Sequence, residues 1–203
     1  MDALQANNLM DDSLTIAGIP LPSRAAWFLA VVAIHVAAGV AAVVAGLIAM
    51  LSAKTAGRHS RAGSVYFWAL CIVCLTMAPL VAFRWPTDNA LGILGVVAFG
   101  AAFAGRRARR RAAYGWKCVH IPCMGMSYIA LLTAFYVDNG PHLPFWNRLP
   151  TLVLWILPIA VGAPLLSRAW WKHCPPKLRR RRSSMRLPRG ARSTAAGDVS
   201  PRA

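Results

Sequence analysis

No Asp, Glu, Lys or Arg lies within residues 25–51, 64–83, 89–105, 118–137 or 151–167, while basic residues crowd every second gap between these stretches. A helix needs roughly 20 apolar residues to cross the hydrocarbon core of a bilayer. Inside that core a helix satisfies its own backbone hydrogen bonds, which an open strand or a loop cannot do. The pattern therefore predicts an all-α fold: a polytopic integral membrane helix bundle with five transmembrane helices. Charged residues make up 14% of the chain, where a soluble domain carries about a quarter. The bundle occupies residues 25–171, after a polar head at 1–24 and before a basic tail at 172–203 whose Pro, Ser, Gly and Arg predict disorder. The head holds Asp2, Asp11 and Asp12 and no basic residue before Arg24. A signal peptide has a basic start and a short apolar core, so the first span is expected to stay in the membrane.

Charge fixes the expected orientation. With the N-terminus outside, 20 of the 23 Lys and Arg fall inside, and only Arg24, Arg84 and Arg148 fall outside. A Lys/Arg excess marks the cytoplasmic side, which predicts N-terminus out, C-terminus in, in the cytoplasmic (inner) membrane of a bacterium. Seven of the eight Trp sit at or near span ends, the headgroup depth that amphipathic rings favour.

Small residues suggest which faces pack. His35, Gly39, Ala42 and Gly46 form one stripe of the first span, opposite Val36, Val40, Val43, Leu47 and Met50. Helices in lipid approach closely where side chains are small, so the His35 stripe is expected to face the bundle and the valine stripe to face lipid. The second span carries Cys71, Cys74, Ala78 and Ala82 on one face. The fourth carries His120, Cys123, Ser127, Ala130 and Ala134, with Tyr128 beside them. Cys71-x-x-Cys74 lies mid-span without a matching second pair, and cysteine packs well as a small apolar residue. Cys118 and Cys174 fall near the reducing inner side, so no exported disulfide framework is expected.

Histidine inside a membrane span is a functional hint by default. His35 lies roughly 15 Å below the outer end and His120 about 3 Å above the inner end, at 1.5 Å rise per residue. One reading of His35, His59 and His120 is structural bonding to neighbouring helices or water. The other is ligation of haem b or another metal, for which neutral imidazole is suited. Depth excludes His35 and His120 as ligands of one haem and leaves His59 with His120 as the first-choice pair. The absence of acidic residues from every span weighs against ion-coupled transport, and no hydrolase triad, phosphate loop or metalloprotease motif is present. Asp138, Asn139 and His142 read as a turn around Asn139-Gly140-Pro141. The basic runs Arg106, Arg107, Arg109, Arg110 and Arg111, and Arg179, Arg180, Arg181 and Arg182, suit contact with anionic lipid headgroups, worth about 1 kcal/mol per residue. Nucleic-acid binding is not expected, since no folded module accompanies them.

The stretch Ile34-His35-Val36-Ala37-Ala38-Gly39, with Gly46, Lys54, Gly57, His59, Gly63 and Tyr66 after it, resembles a family of bacterial predicted membrane proteins catalogued as domain of unknown function 2306. The segment from His120 to Asn139 is similar to its later part, and the resemblance covers roughly His35 to Pro164. Ser60 follows His59 where the family pattern has Arg, which comes one position later at Arg61. The resemblance implies a multi-spanning fold, draws attention to His35, His59 and His120, and carries no activity. Three classes of function remain open. The chain reads first as a non-catalytic membrane component working with a membrane-protein partner or as a homo-oligomer. The alternatives are a haem b electron-transfer protein and a small-solute transporter or channel subunit.

Overall fold

The computed structural model describes residues 14–16, 19–21, 26–53, 57–83 and 88–174. Most of the head, the tail with Arg179 to Arg182, and Arg24, Lys54, Arg84 and Trp85 lie outside the described residues. Five helices are long and apolar enough to cross a membrane: α1 (Ala26–Leu51), α2 (Arg58–Phe83), α3 (Asn89–Arg111), α4 (Lys117–Asn139) and α5 (Thr151–His173). Ahead of them the head contributes an antiparallel hairpin, β1 (Leu14–Ile16) with β2 (Ile19–Leu21), in the register Leu14–Leu21, Thr15–Pro20 and Ile16–Ile19.

The helices outrun the expected spans at one end. α2 starts six residues before 64, while α3 and α5 each run six residues past 105 and 167. Charge-free length measures hydrocarbon depth, whereas Arg, Lys and Ala continue a helix readily into the headgroups. Arg109, Arg110 and Arg111 also occupy the last turn of α3, where positive charge complements the helix dipole. The turns at this end are tight: Gly57 at φ 116° opens α2, Ala112 at φ 47° closes α3, and Gly115 at φ 80° precedes α4. Residues with a Cβ rarely adopt the φ of Gly57 and Gly115.

Consecutive helices pack antiparallel. On α1 and α2, Ala49 meets His59 and His35 meets Thr76. Between α2 and α3, Ser60 meets Arg109 and Cys74 meets Gly95. On α3 and α4, Gly105 meets His120; on α4 and α5, Cys118 meets Trp170. The bundle thus collects every described Lys and Arg except Arg148 at one end, called here the basic end.

Small side chains line the centre. Ala42, Ala45, Tyr66, Phe67, Ala69, Leu70, Ala98, Ala102, Ala130 and Leu131 form one buried cluster. The valine stripe of α1 faces outward as expected at Val36 and Val40, which are more than half exposed. The inward stripe is rotated from the expected one. Ala38, Ala42, Ala45 and Gly46 are buried, and a Cβ at Gly39 would meet nothing within 4 Å. Val43 is turned partly inward, packed against the cluster. On α2 the buried stripe is Tyr66, Phe67, Ala69, Leu70 and Val73, while Ala78 and Ala82 are exposed. α5 is peripheral: 11% of its most apolar stretch is buried, against 28% for α2 and α4.

Candidate functional site

Each candidate histidine is held through Nδ1. His59 Nδ1–H donates to the Ala49 carbonyl at 2.8 Å, and His120 Nδ1–H donates to the Gly105 carbonyl at 2.9 Å. A carbonyl only accepts, so each ring in its neutral form would carry its lone pair on Nε2. His35 Nδ1 lies 2.9 Å from Thr76 Oγ1. The Thr76 hydroxyl lies 2.8 Å from the Ile72 carbonyl and 3.1 Å from that of Val73, so its proton is directed to its own helix and its oxygen accepts from His35.

His59 and His120 share the basic end but sit at different helix junctions, α1–α2 and α3–α4 respectively. Among the described residues, no three His, Cys, Asp or Glu side chains come together to hold a metal ion. His142 closes a 3-10 turn (Gly140–His142), and Asn139 Nδ2 caps back to the Phe135 carbonyl at 3.1 Å. Asp138 and Asn139 thus end α4, and the turn expected around Asn139-Gly140-Pro141 begins at Gly140.

The arginines divide into two groups. Arg106 places its guanidinium 4.5 Å from the centroid of Phe67 and 5.9 Å from that of Trp68. Arg109 Nη2 donates to Ser60 Oγ at 3.0 Å. Both are half-buried and tie α3 to α2. Arg107, Arg110 and Arg111 are exposed.

Two features lie beyond the sequence pattern. The first is a disulfide between Cys118 and Cys174, 56 residues apart, with their Cα atoms 5.2 Å apart. That spacing is ordinary for a disulfide, and the expectation of no exported disulfide framework did not foresee it. The expectation rested on compartment alone, although the sequence had put both cysteines at the same end. Cys71, Cys74 and Cys123 are free. Cys71 and Cys74 pack against the core cluster, and Cys74 Sγ–H donates weakly to the Gly95 carbonyl at 3.7 Å.

The second is Tyr66, the partner of Ser127 at the centre. Tyr66 and Ser127 share a buried hydrogen bond of 2.6 Å between α2 and α4, and Tyr128 O–H donates to the Val43 carbonyl of α1 at 3.0 Å. The rings lie 6.0 Å apart. Ser127 and Tyr128 stood out in the sequence as polar groups in an apolar span, whereas Tyr66 had no signal apart from the family resemblance. Interhelical hydrogen bonds in membranes average about 0.6 kcal/mol, with a maximum near 1.7. Tyr66→Phe is expected to cost about 1 kcal/mol, because it also strands the Ser127 hydroxyl; thermal unfolding in detergent, compared with Tyr66→Phe/Ser127→Ala, measures it. The double variant is expected to recover part of the loss.

No protein-family model matches the chain, and neither a curated protein nor a solved structure matches it.

Proposed function

We propose that this chain is a non-catalytic, multi-pass component of the bacterial cytoplasmic membrane. It is oriented with its N-terminus out and C-terminus in, contacts anionic headgroups at its basic end, and works with a membrane-protein partner or a second copy of itself. The observation that carries this reading is how the interior polar groups are spent. Tyr66, Ser127, Tyr128, His35 and Thr76 bond one helix to another or to its own backbone, and Thr133 bonds back to Ile129. These groups hold the bundle together rather than line a path with ionisable relays. The Lys/Arg excess at the basic end supports the orientation. Kinship with the domain of unknown function 2306 family is part of the proposal and rests on the His, Gly and Tyr pattern alone.

A haem b electron-transfer role is the second reading. It is favoured by one observation: His59 and His120 each donate Nδ1–H to a carbonyl, the arrangement that orients a ligating imidazole through Nε2. Their separate junctions weigh against it. The test is an absorption spectrum of protein purified from haem-replete membranes, oxidised and then dithionite-reduced. The proposal expects no stoichiometric Soret band. A band with sharp reduced α and β peaks, lost in His59→Ala/His120→Ala, would replace it with the haem reading. Substrate-dependent flux in proteoliposomes would replace it with transport.

A further inference from the structure

The end of α5 is fastened by unusual means. Along its length α5 meets α4 and the turn after it through small apolar contacts: Leu166 lies against Gly125, Ile129 against Gly162, and Leu154 against Gly140. It is the least buried of the five helices. At the basic end this changes. Trp170 Nε1–H donates to the Cys118 carbonyl at 3.2 Å, the Cys174 N–H donates to the Trp170 carbonyl at 2.8 Å, and Cys118 and Cys174 are covalently joined. The disulfide therefore clips the last turn of a loosely packed helix to the first turn of its neighbour.

Its location gives the bond its meaning. Cys118 and Cys174 lie where the described Lys and Arg gather, the end assigned above to the cytoplasm. Glutathione and thioredoxin-type dithiols keep cytosolic thiols reduced, so disulfides there are usually transient, catalytic or redox-sensing. We propose that Cys118–Cys174 is a reversible thiol–disulfide switch that fastens and releases the inner end of α5; this rests on the proposed orientation. In the releasing direction, a thiolate of a cytosolic dithiol attacks Cys118 Sγ. Cys118 is the half-buried partner, while Cys174 is 8% exposed. The Cys118–Cys174 bond breaks, a mixed disulfide forms, and the second thiol of the reductant resolves it. Two electrons and two protons pass to the pair, which ends as two thiols while the dithiol ends as a disulfide. A disulfide oxidant reverses the exchange. Reduction leaves the Trp170 hydrogen bond and apolar packing to hold the last turn.

The test uses the full chain carrying Cys71→Ala, Cys74→Ala and Cys123→Ala, so that only the pair reports. Cells are acid-quenched, free thiols are blocked with N-ethylmaleimide, and disulfides are then reduced and tagged with a polymer-linked maleimide. The pair is expected to be mostly thiol in growing cells, to become mostly disulfide within minutes of diamide addition, and to return after washout. A pair locked as disulfide, or as thiol, throughout would overturn the switch. Orientation is read separately by adding Ala113→Cys and an impermeant maleimide. Protection in intact cells and labelling after permeabilisation is expected; labelling in intact cells would overturn the orientation and the switch with it. Release of α5 is read on the unmodified chain in phosphatidylethanolamine–phosphatidylglycerol nanodiscs. Amide exchange over residues 168–173 is expected to quicken at least tenfold on reduction with dithiothreitol and in Cys118→Ser/Cys174→Ser. Equal exchange in both states would overturn the release.

Discussion

Gly46→Leu is expected to destabilise the bundle by about 3 kcal/mol. A Cβ at Gly46 would fall onto the ring of Tyr128 and within 3.2 Å of Tyr66 Cδ2. Both rings are tied in place. Tyr66 is 2% exposed and bonded to Ser127, and Tyr128 is bonded to the Val43 carbonyl one turn from Gly46 itself. Overpacking a tight contact costs typically 1–3 kcal/mol, and displacing Tyr128 adds the loss of its hydrogen bond. Gly39→Leu, seven residues earlier on the same helix, is the control: nothing lies within 4 Å of its Cβ position, so a change within about 0.5 kcal/mol is expected. Thermal unfolding of both variants in one detergent decides the matter. Equal unfolding temperatures would mean that α1 does not approach α4 at Gly46.

The contrast between Gly39 and Gly46 also shows why the fold was legible in outline and not in rotation. Charge-free runs and the Lys/Arg bias are properties of depth along a helix, and depth is what a bilayer sorts. The helical spans and the sharing of one end by Cys118 and Cys174 follow from it. Which face of α1 packs inward is a question of azimuth, and lipid tails are as apolar as a protein core, so polarity gives no contrast around the helix. Residue size was the remaining clue. It identified Ala42 and Gly46 but put Gly39 inward in place of Ala38. The Tyr66–Ser127 bond and the Cys118–Cys174 pairing needed more still: the register of α2 and of α5 against α4, which no local pattern encodes. The histidine set was legible as residues, but the carbonyls that Ala49 and Gly105 offer to His59 and His120 belong to the backbones of α1 and α3, not to any side-chain motif.

The two faces of the last turns of α3 divide its arginines into two jobs, and the division predicts two different phenotypes. Arg107, Arg110 and Arg111 are exposed at the basic end, where each charge near an anionic surface is worth about 1 kcal/mol. Replacing all three with Gln is expected to weaken the preference for phosphatidylglycerol over phosphatidylcholine by about 3 kcal/mol, on the order of 100-fold, with the unfolding temperature nearly unchanged. Native mass spectrometry of lipid retention measures the preference. Raising ionic strength is expected to erase the difference between wild type and variant, because exposed charges are screened beyond about 10 Å at 0.1 M salt. Arg106→Gln/Arg109→Gln should behave the other way. It removes a guanidinium stacked on Phe67 and a donor to Ser60, so it loosens α3 from α2. A cation over an aromatic face contributes about 0.5–1 kcal/mol at partly exposed sites and a hydrogen bond with a charged donor roughly 1.5–3, so a stability loss of about 2 kcal/mol is expected with most of the lipid preference retained. If both variants lose lipid preference equally and neither loses stability, all five arginines serve the membrane surface and the contacts of Arg106 and Arg109 carry no structural weight. The expected split instead makes the last turns of α3 a joint that holds α2 with one pair of arginines and the bilayer with the other three.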